Sequence, residues 1–437
     1  MQQPLSSRHL PPGEGHTIDL QNLDSILPTL LDLQQRHGDH FKARFSGQES
    51  WLYVLSHPDM ARHVLARNYR NYRKGVGIDL VNVLLGRGIM VSEGDLWKRQ
   101  RKMLQPMFNR DNLHRLTPLM TDCTAQFIKR LQADIANDEP VNITEATGHA
   151  ALNFILYALF SEDLTRLIDE TGSNPFLMVT DESARDLLFA RRFRGLSKLI
   201  LEMIERRKKE NRRPFDILSM IMDASEKSTG EPMPQKQQLD ETLTLIIAGH
   251  ETTASALNWT WYLIAQHPEI EQRLLAEARQ VLDGRAPSPA DIASLTYTRQ
   301  VLEEAMRLYP PGWLLTRRAI DEDEICGIYT PAGTDIFIPP YLVHRHPEFW
   351  ENPEQFDPDR FAPERKAKLP QGAYLAFSIG PRNCIGESIA LYEMIIHISM
   401  TIQSIHLQLL PDQHIELQAQ VNLRPRHDLY MQATSKQ

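Results

Sequence analysis

The stretch from Asp240 to Gln266 restricts the fold more than any other part of the chain. It is long, largely apolar and carries no single apolar stripe, so as a helix it must be buried on most sides. Asp240 is the expected N-cap. His250, Glu251 and Asn258 interrupt the apolar run, which excludes the nearly unbroken stretch of about 18 residues that a membrane span needs. Ile389–Leu410 is broken in the same way by Glu393, His397 and Gln403. No transmembrane anchor is expected. The first twenty residues also lack the roughly 7–15-residue apolar core of a signal peptide, so the cytoplasm is the expected location.

A chain of 437 residues allows up to about three domains as a prior. No repeat, low-complexity run or Gly/Ser linker divides it, so one domain over 1–437 is expected. Helical spacing runs through Leu116–Ile135, Thr144–Phe160, Leu199–Arg213 and Gln266–Leu282, the last opened by Pro268. After Pro310-Pro311, β-like runs at Ile325–Tyr329 and Asp335–Ile338 alternate with Pro and Gly. A last helix from about Cys384 to Gln403 leads into a β-like tail. The expected class is mainly α with a smaller β-rich part (α+β). The helix-rich core covers about 93–310 and 384–404, and the β-rich segments about 40–60, 312–345 and 405–437.

Lys plus Arg total 48 against 56 Asp plus Glu, a net charge of −8, and no nucleic acid partner is expected. Basic residues outnumber acidic ones between Arg185 and Arg213. This run reads as a solvated helix pair, with a basic rim facing an anionic partner as the other reading. The three cysteines are too few and too odd in number for a disulfide framework and fit a reducing compartment. Cys123, in a helical pattern, and Cys326, in a short strand, read as packing residues.

Cys384 differs. It sits in Phe377-Ser378-Ile379-Gly380-Pro381-Arg382-Asn383-Cys384-Ile385-Gly386. The glycines and the proline permit a tight, pre-set loop. A helix follows at once, so backbone N–H groups and the macrodipole favour negative charge on the sulfur. Both effects turn a thiol into a thiolate ligand or nucleophile. Arg382 adds a cation beside it.

Three further patterns carry chemistry. In Ala248-Gly249-His250-Glu251-Thr252-Thr253, a helical glycine costs about 1 kcal/mol relative to alanine and needs compensation. A missing side chain there lets a flat group approach the backbone, with Glu251 and Thr252 beside the gap as a general-acid relay. His250-Glu251 begins like a zinc-protease motif, but Ala254 stands where its second histidine would be. His250 therefore reads as a helix residue with a local partner. Glu304 and Arg307 share one helical face, followed by Leu308-Tyr309-Pro310-Pro311 and later by Pro358-Asp359-Arg360-Phe361. Trp97 and Arg101 lie one helical turn apart in a basic stretch.

Together these residues resemble the cytochrome P450 superfamily, whose haem-binding signature has all five defining positions filled: Phe377, Gly380, Arg382, Cys384 and Gly386. The resemblance implies the P450 fold, a triangular prism of helices around one buried haem b with Cys384 as the iron ligand. It implies a haem propionate as partner of Arg382, and packing of Phe377 over the sulfur. Ala248 and Gly249 would line the oxygen side, with Glu251 and Thr252 catalytic. Trp97, Arg101 and Arg317 (preferred to Arg318) would contact the haem. Glu304, Arg307 and Arg360 would form a structural network, with Asp359 where the family more often has Glu. His344 falls in a recurrent segment and reads equally as a turn residue or a cofactor contact.

The implied activity is insertion of one oxygen atom from O2 into a lipophilic small molecule, by hydroxylation or epoxidation, in secondary metabolism. Substrate would face Gly75–Met90, Phe176–Phe193, Leu245–Ala248 and Pro311–Thr316. Only a tail follows Gly386, so electrons are expected from separate proteins, a ferredoxin and its reductase or a flavodoxin-type donor. A haem-thiolate peroxygenase or isomerase and a non-enzymatic haem sensor are the alternatives. Neither needs the Glu251/Thr252 pair.

Overall fold

A computed structural model describes residues 9–13, 15–20, 22–47, 50–78, 82, 85–180 and 187–436, with backbone alone at 187–192. Positions 79–81, 83, 84 and 181–186, which fall in two expected substrate-facing segments, lie outside the described residues, as does Arg185.

The longer helices are α1 (Leu23–His37), α2 (Gly94–Leu104), α3 (Arg110–Ala136), α4 (Ile143–Phe160), α5 (Glu162–Thr171) and α6 (Leu187–Lys209). They continue with α7 (Ile217–Asp223), α8 (Gln235–Gln266), α9 (Pro268–Leu282), α10 (Thr296–Leu308) and α11 (Glu387–Ser404). The strands are β1 (Thr17–Ile18), β2 (His40–Phe45), β3 (Trp51–Leu55), β4 (Tyr72–Lys74), β5 (Val141–Asn142), β6 (Leu315–Ala319) and β7 (Asp323–Ile325). They end with β8 (Ile328–Thr330), β9 (Asp335–Ile338), β10 (Ile405–Leu409), β11 (Leu417–Ala419), β12 (Leu423–Pro425) and β13 (Tyr430–Ser435). The class is mainly α with a smaller β part.

Two compact units share these elements. The first comprises Met1–Ile78, Gln300–Cys384 and His414–His427. Its mixed sheet has the order β1-β2-β3-β9-β6-β4. Strand periodicity explains its two cores, because alternate side chains point to opposite faces. Leu52 and Val54 join Phe41, Phe45 and the α1 residues Ile26, Leu27, Leu30 and Leu33. Tyr53 and Leu55 point the other way, toward Val64, Leu65, Ile336, Ile338 and Leu375.

The second unit comprises Asp79–Arg299, Ile385–Gln413 and Asp428–Gln437. Here α8 packs on α4, α6, α7, α9 and α11, which accounts for its lack of a polar face. A small sheet, β10-β13-β5, closes the unit. No described helix is long and apolar enough to cross a membrane.

Several local expectations are corrected. The long helix starts at Gln235 after Pro234, so Asp240 is an interior, buried residue and not a cap. Its polar opening, Gln235–Gln238, hides the start from any apolar count. The break between the two helices agrees with expectation: α8 ends at Gln266 and α9 opens at Pro268. Ile325–Tyr329 is a tight hairpin, with Cys326 at φ 50 and Gly327 at φ 88 in its turn. Cys326 is exposed there and packs no core. Cys123 is buried, and burial first, with Glu393 and Asp122 adding to it, pushes its thiol up to about 12.

Candidate active site

In the first unit the cysteine loop is closed by its own backbone. The Cys384 amide donates to the Phe377 carbonyl at 2.9 Å, and the Asn383 amide to Gly380 at 3.1 Å. Gly380 sits at φ 77, and a Cβ there would overlap the Leu65 carbonyl and lie 2.9 Å from the Ala66 Cα. Both observations demand glycine. Leu65 and Ala66 belong to a single π-helical turn, His63–Arg67, that serves as the loop's seat. The Cys384 side chain is exposed, and α11 begins at Glu387, three residues on.

Behind this loop Glu304, Arg307 and Arg360 meet in a buried network. Arg307 grips Glu304 with two hydrogen bonds of 2.6 and 2.9 Å, and Arg360 Nε reaches Glu304 at 3.3 Å. The remaining Arg307 N–H groups donate to the carbonyls of His344, Pro353 and Gln355. Burial raises the Glu304 carboxyl above its ordinary value, and Arg307 opposes this. His344, whose sequence context fits a turn residue and a cofactor contact equally, has a definite place here. Its Nδ1 pairs with the Arg307 carbonyl at 3.0 Å, and its Nε2 accepts the Leu375 amide at 2.7 Å. Burial pushes the ring down to about 3, which keeps it neutral for both bonds. No spacing in the sequence announces this link, because its partners lie 37 and 31 residues away.

Of the two neighbouring arginines on β6, Arg318 forms a bidentate pair with Asp335 at 2.9 and 2.7 Å. Arg317 donates to the Thr316 carbonyl at 2.8 Å. A Cβ at Gly75 would lie 2.7 Å from the Arg317 carbonyl oxygen, so the β4 end needs a residue without a side chain.

In the second unit α8 carries Ala248, Gly249, Glu251 and Thr252 on consecutive turns. The Thr252 hydroxyl donates to the Ala248 carbonyl at 2.8 Å, which leaves its lone pairs as acceptors. A Cβ at Gly249 would come within 3.1 Å of Ile155 on α4, so this glycine permits close helix packing. The His250 ring is buried, and the Gly148 backbone of α4 lies beside it as its local partner. Burial, with His149 adding to it, pushes His250 down to about 4. Among the described residues no cluster of His, Cys, Asp and Glu could hold a metal ion. On α2, Trp97 is buried and Arg101 half-buried. Gly386 immediately precedes α11 in this unit.

The donor set fits a haem. An exposed sulfur at the head of a helix favours the soft thiolate that haem iron accepts, and the glycine-dependent loop holds it there.

Known proteins agree. Residues 12–429 match the family model described as Cytochrome P450. Cyclooctat-9-en-7-ol 5-monooxygenase of Streptomyces melanosporofaciens is 32% identical over 398 residues, which cover 87% of this chain and 84% of that protein. Pentalenene oxygenase of Streptomyces avermitilis is 28% identical, with 86% of each chain covered. A crystal structure of the cytochrome P450DA haem domain superposes with a TM-score of 0.87 at 22% identity, covering 98% of both chains, which establishes the fold. The chain belongs to the cytochrome P450 family and is a haem-thiolate monooxygenase that uses O2 on a lipophilic small molecule.

Proposed function

We propose that Cys384 is the iron-ligating thiolate of this monooxygenase and that its substrate is a cyclic terpenoid alcohol or alkene. The observation that carries the first half is the exposed Cys384 sulfur on a loop that only glycine at 380 can seat. The names of the two Streptomyces relatives support the second. When bound, haem supplies the activation of O2 and the oxidation of a C–H bond or alkene. The chain's own groups do the rest. Phe377 would cover the sulfur, and Arg382, Arg101 and Arg317 would hold the haem propionates, with Trp97 alongside. The engagement of Arg318 with Asp335 supports the choice of Arg317. Glu251 holds the proton to be delivered, and the Thr252 hydroxyl, its own proton held by the Ala248 carbonyl, offers a lone pair that accepts a hydrogen bond beside it. Glu304, Arg307 and Arg360 fix the backbone behind the cysteine loop. We infer further that 1–437 works as one domain in the cytoplasm and takes electrons from a ferredoxin and its reductase or a flavodoxin-type donor.

The test is substrate-induced spin-shift titration against cyclic terpene alcohols and alkenes, with fatty acids as the competing class. Saturable shifts with the terpenoids are expected; shifts with fatty acids alone overturn the substrate class. The reduced-CO spectrum of Cys384→Ser should lose its thiolate-type Soret band, and an unchanged band removes Cys384 as ligand. Thr252→Ala should consume O2 without matching product; unchanged coupling removes it from the relay.

A further inference from the structure

Between Leu85 and α2 the chain crosses α8 and is fastened to it. Asp240 Oδ2 accepts the Arg87 amide at 3.0 Å, and Glu241 Oε2 accepts the Ile89 amide at 2.9 Å. Both carboxylates are buried, at 6% and 0% exposure. From the other side, the wholly buried Gln100 of α2 donates to the Arg87 carbonyl at 2.7 Å. Arg87 thus gives its N–H to α8 and its C=O to α2.

Two glycines bring the loop onto the helix. A Cβ at Gly86 would overlap the Asp240 carboxylate. One at Gly88 would overlap the Thr244 hydroxyl and stand 2.8 Å from the Asp240 carbonyl. That hydroxyl is itself tied to the Asp240 carbonyl at 2.7 Å, so it cannot turn away cheaply. Lys236 offsets the Asp240 charge from the surface at 3.1 Å. Two adjacent carboxylates in a helix interior are costly to bury without hydrogen bonds, and here one backbone amide of the loop meets each of them.

We propose that Asp240 and Glu241 are positioning residues: a two-carboxylate latch that sets α2, with Trp97 and Arg101, in register with α8, with Glu251 and Thr252. This deepens the function proposed above and rests on its reading of α8 as the oxygen-side helix. With the latch open, the 85–92 loop lifts, substrate is held less firmly and reducing equivalents are lost.

The experiment uses the full-length holoenzyme and reads hydrogen exchange of the Arg87 and Ile89 amides beside substrate spin-shift affinity and product formed per reducing equivalent. Glu241→Ala should speed Ile89 exchange about ten- to a hundred-fold, weaken substrate binding and lower coupling. Glu241→Gln should restore protection, because a carboxamide oxygen still accepts. Gly88→Ala should open the loop by sterics alone and reproduce the Glu241→Ala pattern with the carboxylate intact. Unprotected amides in the wild type, or lost protection with affinity and coupling unchanged, would overturn the latch. A wild-type enzyme without a thiolate-type reduced-CO band would sink the Cys384 assignment instead, leaving the exchange data to judge the latch.

Discussion

Arg207 and Asp216 form a wholly buried bidentate ion pair, at 2.7 and 2.6 Å. The same guanidinium donates to Asp163 at 2.6 Å, to the Ser219 hydroxyl at 3.0 Å and to the Phe160 carbonyl at 3.1 Å. All five of its N–H donors are therefore used. Arg206 and Arg212 also reach Asp163, and Arg213 pairs with Asp223. Arg206, Arg207 and Arg212 of the basic run are therefore committed to the buried carboxylates Asp163 and Asp216, whereas the Arg213–Asp223 pair stays at the surface. Arg207→Met leaves Asp163 and Asp216 without their buried partner and should cost about 3–5 kcal/mol. Urea unfolding measures it; a loss below 1 kcal/mol would show that the surrounding arginines suffice.

Gly380→Ala should damage the cysteine loop specifically. The positive φ costs an L-residue about 1 kcal/mol, and the Leu65 carbonyl leaves no room for the methyl group. A total loss of about 2 kcal/mol or more is expected, with reduced haem retention during gel filtration. Gly148→Ala is the control, since a Cβ there meets nothing. Equal haem retention in the two variants would contradict this account of the loop.

His344→Phe removes both bonds that tie the Arg307 backbone to the Leu375 amide, two residues before Phe377. Each buried backbone group left without a partner costs about 1–3 kcal/mol. Because Leu375 leads into the cysteine loop, the reduced-CO band should also lose intensity before the protein unfolds. A stability loss with an intact band throughout would make His344 a packing residue only.

The sequence made some of this legible and hid the rest for physical reasons. The cysteine loop is local: Gly380, Pro381 and Cys384 state its turn, thiol and helix start within a few residues. The burial of α8 is also local, because it follows from the missing polar face. Asp240 looks like a cap in sequence because a capping residue and a loop-binding residue are both acids ahead of an apolar run; the helix start at Gln235 and the distant Arg87 amide distinguish them. Arg207 needs Asp163, 44 residues away, before it can be seen as buried. His250 and His344 look alike in sequence, yet His344 ties two distant backbone segments together and His250 has only the Gly148 backbone beside it.

Acid sensitivity follows from the histidines buried in the second unit. Burial pushes His397 down to about 3 and His250 to about 4, against 6.5 for a free ring. Between pH 6.5 and these values the unfolded chain binds protons that the folded chain refuses, so stability falls as pH falls. Each ring contributes a slope of about 1.4 kcal/mol per pH unit. Their stabilisation is complete above 6.5 and lost progressively toward pH 4 for His250 and pH 3 for His397. Glu393, held well above the ordinary carboxylate range by burial, acts with the opposite sign, since its folded form keeps a proton that the unfolded form releases. His397 accepts the Trp261 indole N–H at 3.2 Å, which glutamine can also do without titrating. His397→Gln should therefore flatten the stability slope between pH 6 and 5 by about 1.4 kcal/mol per unit, measured by urea midpoints across that range. An unchanged slope would mean that the His397 ring takes up its proton in the folded protein.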